Sequence, residues 1–226
     1  MIAYDRRLPL ISDHIAKTGG TSFRRNLEAW FGDRLFLHYA DETAGTPPPR
    51  HRLNRRWRGG FRPDVCVHGH FNQHLGWGPA DYYPEVVQFI TWVREPVDLQ
   101  SSMFSFQLKQ RGGGVYRRDG VEHVTQDIEE FFERSRCPFF RGFPRPVTAE
   151  NLDELVARHF IHVGVLETME RSLGLMADKL GKPVVPVHHV NRAGRVQQPS
   201  ATAVRRFKER FALEYRFYEL ACRMNR

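Results

Sequence analysis

The sequence predicts an α/β fold of three layers, a central and mostly parallel sheet flanked by helices, formed by residues 1–226 as a single domain. Three observations carry this. Strand-like runs alternate with helical ones along most of the chain, the pattern of a parallel sheet wound with crossover helices. The first strand leads through a Gly-Gly turn directly into a helix. Three strand ends carry clustered polar and basic residues, and ligands of such sheets sit at the carboxyl ends of strands.

The elements follow in order. Leu8–Ile15 reads as a strand, and a helix runs from about Thr21 to Phe31. Phe23, Leu27, Trp30 and Phe31 share one face of that helix. Arg34–Tyr39 is a second strand. Thr43–Pro63, with Pro47-Pro48-Pro49 and Gly59-Gly60, is a loop. Asp64–His68 is a short buried strand and Val86–Val93 a stronger one, rich in β-branched and aromatic residues. A helix follows Pro96 to about Lys109, and Gly112-Gly113-Gly114 is expected to break the chain into a flexible loop. Gln126–Arg134 and Ala149–Arg158 read as helices, Phe160–Val165 as a strand, and Glu167–Leu180 as a helix ended by Gly181 and Pro183. One long helix is expected over Ser200–Met224, with a core stripe of Val204, Phe207, Phe211, Tyr215, Tyr218 and Cys222.

Composition narrows the class. The chain has 226 residues, 41% apolar and 27% charged, enough to bury one core. No apolar run approaches the ~20 residues that span a bilayer. Met-Ile-Ala-Tyr-Asp-Arg-Arg at the start lacks the features of a signal peptide. The expectation is therefore a cytoplasmic protein, free or attached to a membrane surface. Cys66, Cys137 and Cys222 are too dispersed for metal-site or redox-motif spacing and read as free thiols. The net charge of +8 favours an anionic partner.

The first strand end carries Lys17-Thr18-Gly19-Gly20-Thr21-Ser22. Glycines permit a tight turn and close approach of backbone amides to an anion. The helix N-terminus adds unpaired donors and the positive end of the dipole. Thr18, Thr21 and Ser22 offer hydroxyls, and Lys17 a full charge. The lysine precedes the glycines, whereas a Walker A loop places it after them, so an ATPase or GTPase is disfavoured.

The second strand end carries His68-Gly69-His70. Residues i and i+2 of an extended chain point to one side, and histidine is the natural base near neutral pH. A structural pair is one alternative. A metal site with Cys66 and His74 is another, although no carboxylate or second cysteine lies close in sequence. The third strand end carries Val93-Arg94-Glu95-Pro96 with Ser101 and Ser102 following. An arginine fork and a serine hydroxyl suit a terminal phosphate.

These motifs resemble those of the sulfotransferases, in the branch related to heparan sulfate 2-O-sulfotransferase and bacterial carbohydrate sulfotransferases. His14-Ile-Ala-Lys-Thr-Gly-Gly-Thr-Ser22 is similar to that family's donor loop, with Ala16 where the family has proline. The resemblance spans roughly residues 10–220 and implies a P-loop-like fold. It implies 3′-phosphoadenosine 5′-phosphosulfate as co-substrate, with the 5′-phosphosulfate on Lys17, Thr18, Gly19, Gly20, Thr21 and Ser22. Lys17 then steadies the bridging oxygen, and Arg94 and Ser102 hold the 3′-phosphate. His70 is implied as the catalytic base, with His68 assisting. His162-Val-Gly-Val-Leu-Glu167 resembles a structural segment of the family, and His189-Val-Asn191-Arg192 a late loop that closes over the nucleotide. Arg192, and with it Arg195, would reach a phosphate there. No metal is implied, and the acceptor is a hydroxyl on a carbohydrate, neutral or anionic.

Arg50, Arg52, Arg55, Arg56, Arg58 and Arg62 fall just before His70 and read as either a solvated loop or an acceptor-binding edge. Lys109, Arg111, Arg117 and Arg118 form a candidate mobile wall opposite. No nucleic-acid-binding motif accompanies them. Two other classes stay open on the sequence: a nucleotide-dependent phosphotransferase with a variant phosphate loop, and a non-catalytic protein that binds an acidic glycan.

Overall fold

The computed structural model describes residues 1–41, 43–54, 60–184, 186 and 197–226. Five parallel strands form the central sheet: β1 (Leu10–Asp13), β2 (Leu35–His38), β3 (Cys66–Gly69), β4 (Gln88–Val93) and β7 (Phe160–Val165). Their order is β2-β3-β1-β4-β7. From β1 the chain leaves to one side, to β2 and β3. From β4 it leaves to the other, to β7. The connections reverse beside β1, and a parallel sheet opens a ligand crevice at the carboxyl ends of the strands where they do so.

Strand residues alternate between two cores. Leu10, Cys66, Ile90 and Ile161 face α1 (Gly20–Phe31) and α6 (Met169–Leu180), packing on Phe23, Leu27, Leu173 and Met176. Ile11, Val67, Phe89 and Val163 face the other way, toward α3 (Pro96–Arg111), α4 (Ile128–Arg134), α5 (Leu152–His159), α7 (Ala201–Arg210) and α8 (Ala212–Met224). Burial on both faces is why these strands are near-continuously apolar rather than alternating with polar residues. A four-residue helix, α2 (Pro79–Tyr82), lies between β3 and β4. The three-layer α/β arrangement is the one expected from sequence.

Two expectations are corrected. The triple glycine does not open an irregular loop. Gly112 caps α3 with φ 74, and Gly114 begins an antiparallel hairpin of β5 (Gly114–Arg118) and β6 (Val121–Thr125). At its tip Asp119 and Gly120 both have positive φ, 51 and 78, which is what a two-residue hairpin turn that follows the strand twist requires. Arg117 and Arg118 therefore sit on an ordered ribbon. The long last helix is two helices. The chain bends at Phe211 (φ −111, ψ 36), and beyond it the fully buried positions are Phe217 and Ala221, one step off the expected stripe. Phe217 closes a ring cluster with Phe143 and Phe160, at centroid distances of 5.2 and 6.4 Å.

Candidate active site

The loop between β1 and α1 takes its shape from two left-handed residues, Lys17 (φ 69) and Gly19 (φ 85). Such a conformation is costly for a lysine and costs little for glycine. The Thr18 hydroxyl donates to the Ile15 carbonyl at 2.7 Å and the residue is fully buried, so it braces the loop rather than facing outward as the sequence suggested. The amides of Ser22 and Phe23 donate to the Gly19 carbonyl, and no side chain caps α1. The first amides of the helix are therefore left to an external acceptor, as in an anion site.

Cations gather over this loop. Burial lowers the Lys17 pKa, and Arg94 and Lys109 lower it further. The Lys17 ammonium lies 4.2 Å from the centroid of the Phe106 ring. Ser102, Phe106 and Lys109 share one face of α3 at steps of four and three. Thus Lys17 comes from the loop after β1, Arg94 from the residue after β4 and Lys109 from α3, with Ser102 on the Phe106 face of that helix. Ser101 is a different case: it is buried, and its hydroxyl donates to the Val97 carbonyl at 2.9 Å. Glu95 caps α3 by accepting from the Asp98 amide at 2.7 Å, while its own amide donates to Glu167 at 2.9 Å. Glu167 of the β7–α6 connection thereby fixes the backbone beside Arg94.

The histidines occupy the β3 side. His70 is exposed, and its Nδ1 lies 2.5 Å from the carbonyl oxygen of His14. A carbonyl only accepts, so Nδ1 carries the proton and Nε2 of the neutral ring holds the lone pair. His68 differs. It is 1% exposed, with Nδ1 3.0 Å from the Ser12 hydroxyl, and burial drives its pKa down to about 3. The pair expected to act together is thus split between surface and interior. Gly69 is required by the close approach of the neighbouring strand: a Cβ there would lie 1.9 Å from the His38 carbonyl oxygen of β2.

His14 connects the two and was not singled out from the sequence. Its ring stacks on those of His68 and His70, at 5.2 and 4.4 Å, and its Nδ1 lies 2.7 Å from the Tyr39 hydroxyl. Burial, then the neighbouring His70, holds His14 well below the ordinary histidine range. Gly20 lies against this ring, and a Cβ at that position would come within 2.0 Å of it. The glycine therefore serves both the helix start and the His14 packing. The sequence signal was adjacency: His14 is the first residue beyond β1, at the strand end where ligands bind.

Asp13 is the other residue the sequence left unassigned. It is 5% exposed, the Gly142 backbone packs against its carboxyl, and burial pushes its pKa up to about 7. Below about pH 4 the carboxyl is protonated in both folded and unfolded chains. Between about pH 4 and 7 only the unfolded chain ionises, so this group withdraws stability as pH rises. Asp13→Asn is expected to be nearly neutral at pH 4 and to stabilise by up to about 4 kcal/mol at pH 8. Urea denaturation at both pH values checks this. An equal effect at both would rule it out.

Among the described residues, no group of three or more His, Cys, Asp or Glu is placed to hold a metal. Cys66 is buried in the α1–α6 core at the start of β3, at the opposite end of the strand from His70. Arg50, Arg52 and Arg62 are exposed, whereas Arg55, Arg56, Arg58, Arg192 and Arg195 lie outside the described residues. None of the helices described is long and apolar enough to cross a membrane.

No protein-family model and no curated relative matches the chain. Among solved structures it is similar to mouse sulfotransferase SULT7A1 complexed with PAP, at 14% identity over 80% of this chain and 62% of that one, with a TM-score of 0.45. It is also similar to retinol dehydratase in complex with androsterone and inactive cofactor PAP, at 17% identity over 92% of this chain and 65% of that one, with a TM-score of 0.38. The chain spans less than two thirds of the length of either structure.

Proposed function

We propose that the chain is a sulfotransferase that moves a sulfuryl group from 3′-phosphoadenosine 5′-phosphosulfate to a hydroxyl of a carbohydrate acceptor. The observation that carries this reading is the cluster of cations beyond the carboxyl ends of the neighbouring strands β1 and β4. Lys17 there stands near enough to Arg94 and Lys109 for both to lower its pKa, beside an uncapped helix start. Cations brought together from a loop, a strand end and a helix suit a polyanionic ligand, and their different anchor points suit two phosphates carried apart on one nucleotide. Residues 17–22 would hold the 5′-phosphosulfate, and Arg94 with Ser102 the 3′-phosphate.

His70 presents Nε2 as a proton acceptor. The acceptor oxygen bonds to sulfur as the bond from sulfur to the phosphate oxygen breaks. The hydroxyl proton passes to His70, and Lys17 offsets charge growing on the leaving oxygen. The products are a sulfate ester and adenosine 3′,5′-bisphosphate. His14 and Tyr39 hold the His70 region in place rather than exchanging the proton.

Calorimetry with adenosine 3′,5′-bisphosphate, against ATP with magnesium, tests the donor assignment. Binding of the bisphosphate without metal, weakened at least about tenfold in Arg94→Ala, is expected. Preference for ATP with magnesium would replace this reading with a phosphotransferase.

A further inference from the structure

A second basic site lies among the helices on the α4, α7 and α8 side of the sheet. A cavity of about 380 Å³ opens between the α4–α5 connection, the α7–α8 bend and the short turn at Gln73–Leu75. Its walls include His74, Arg134, Arg136, Phe140, Arg141 and Glu214. That volume falls within the roughly 300–1,000 Å³ of small-ligand sites.

The charges in it are unequal in kind. Arg210 also borders the cavity, but its guanidinium donates to the carbonyls of Phe132 and Ser135, at 2.7 and 2.8 Å, closing the end of α4. Among the described residues neither Arg136 nor Arg141 is paired with a carboxylate. Arg141 is half-buried, and its pKa is lowered by burial and then by the guanidiniums of Arg136 and Arg117. Glu214 is drawn toward its neutral form by burial. Holding a desolvated guanidinium beside two others is unfavourable unless an anion shares the space.

The cavity adjoins the His70 segment through the backbone. The Gln73 amide donates to the Arg141 carbonyl at 3.0 Å, and the Gln73 side chain donates to the Phe140 carbonyl at 2.9 Å. The next residue, Gly142, packs on Asp13, which directly precedes His14. The Phe140–Gly142 backbone thereby ties one wall of the cavity to the segments that carry His70 and His14.

The geometry points to an acceptor subsite in which Arg136 and Arg141 bind an anionic group, a carboxylate or sulfate ester, carried by the carbohydrate whose hydroxyl reaches His70. This rests on the sulfotransferase reading for the identity of the reacting hydroxyl, but not for the anion. Arginine suits it because its planar fork meets either oxyanion with two parallel hydrogen bonds.

Calorimetry of the full chain, with adenosine 3′,5′-bisphosphate present, tests the inference. The probes are four tetrasaccharides of one backbone: bearing carboxylates and sulfates, carboxylates only, sulfates only, and neither. At least one charged form is expected to bind at least about tenfold more tightly than the neutral one. Arg141→Gln and Arg136→Gln should each remove most of that preference and leave the bisphosphate affinity unchanged. Arg7→Gln, exposed and at the opposite end of β1 from the site, should change neither. The two single-anion forms show which oxyanion is read. Arg136 is exposed, so its variant carries the test if Arg141→Gln fails to fold. Equal binding of charged and neutral forms, or an unaltered preference in Arg136→Gln, would overturn the subsite. Arginine-dependent glycan binding with no bisphosphate binding would uphold the subsite and remove the donor assignment.

Discussion

Lys17→Ala is expected to lower kcat by roughly 10²-fold or more, with a smaller effect on donor affinity. The reasoning starts from the backbone. Lys17 occupies a left-handed conformation, φ 69, that a lysine adopts only when its surroundings enforce it. Its ammonium rests over Phe106 and is destabilised by burial and by Arg94 and Lys109. A phosphosulfate in the loop would relieve that repulsion, and charge developing on the bridging oxygen would relieve it most. The interaction therefore strengthens toward the transition state, which is the condition for raising kcat rather than only tightening binding. Arg94 and Ser102 remain in the variant to hold the other phosphate. Lys17→Gly separates chemistry from folding. Glycine accepts φ 69 without strain, so this variant should lose activity equally while its Tm holds or rises. Measurement of donor consumption at saturating acceptor, beside thermal melts, checks both. Full activity in either variant would count decisively against a catalytic lysine here.

Much of the fold was legible because the strands are short, apolar and bounded by turn residues. Phe160–Val165 was read to the residue. The first strand was read too long: pairing ends at Asp13, and His14 onward turns away into the loop. The hairpin was missed although Asp119-Gly120 is a strong turn signal, because the triple glycine upstream drew the reading toward irregular structure. The bend at Phe211 had no signal of its own. Neither glycine nor proline marks it, and the amphipathic stripe runs through it. The bend follows instead from tertiary packing, with Phe207 and Phe211 rings 4.6 Å apart and Arg210 tied to the end of α4.

The site was legible to the extent that its chemistry lies in contiguous motifs. Lys17 and Arg94 come near each other because each stands just beyond the carboxyl end of its strand, β1 or β4. What the motifs could not show is burial. His68 and His70 are equivalent in sequence, yet His68 lies within β3 against the Phe23 ring and is buried, while His70 follows the strand end and is exposed. Thr18 is a hydroxyl like Thr21, yet its hydrogen bond is spent inside the loop. The His14 ring stack and the Arg141 side of the cavity arise from contacts across long separations in sequence, which no local pattern records.

His70→Ala is expected to cost on the order of 10²-fold or more in kcat, and the structure allows a sharper variant. The His70 Nδ1–H is committed to the His14 carbonyl, which leaves Nε2 as the basic atom. Asparagine places its amide near the position of Nδ1 but has no lone pair at the position of Nε2. His70→Asn should therefore keep the bond to His14, and the melting temperature with it, while losing as much activity as alanine. Both variants should also change the pH profile. With His70 as the base, the native chain is expected to lose activity toward low pH, because a protonated imidazole cannot accept a proton from the hydroxyl. Without His70 that acid limb should flatten, and the residual rate should rise with hydroxide instead. Buried His68, already held neutral, contributes no such limb. A His68→Gln variant with the native acid limb, beside a His70→Asn variant without it, would place the base at residue 70. The opposite pairing would move it to the interior histidine and require the strands above it to open.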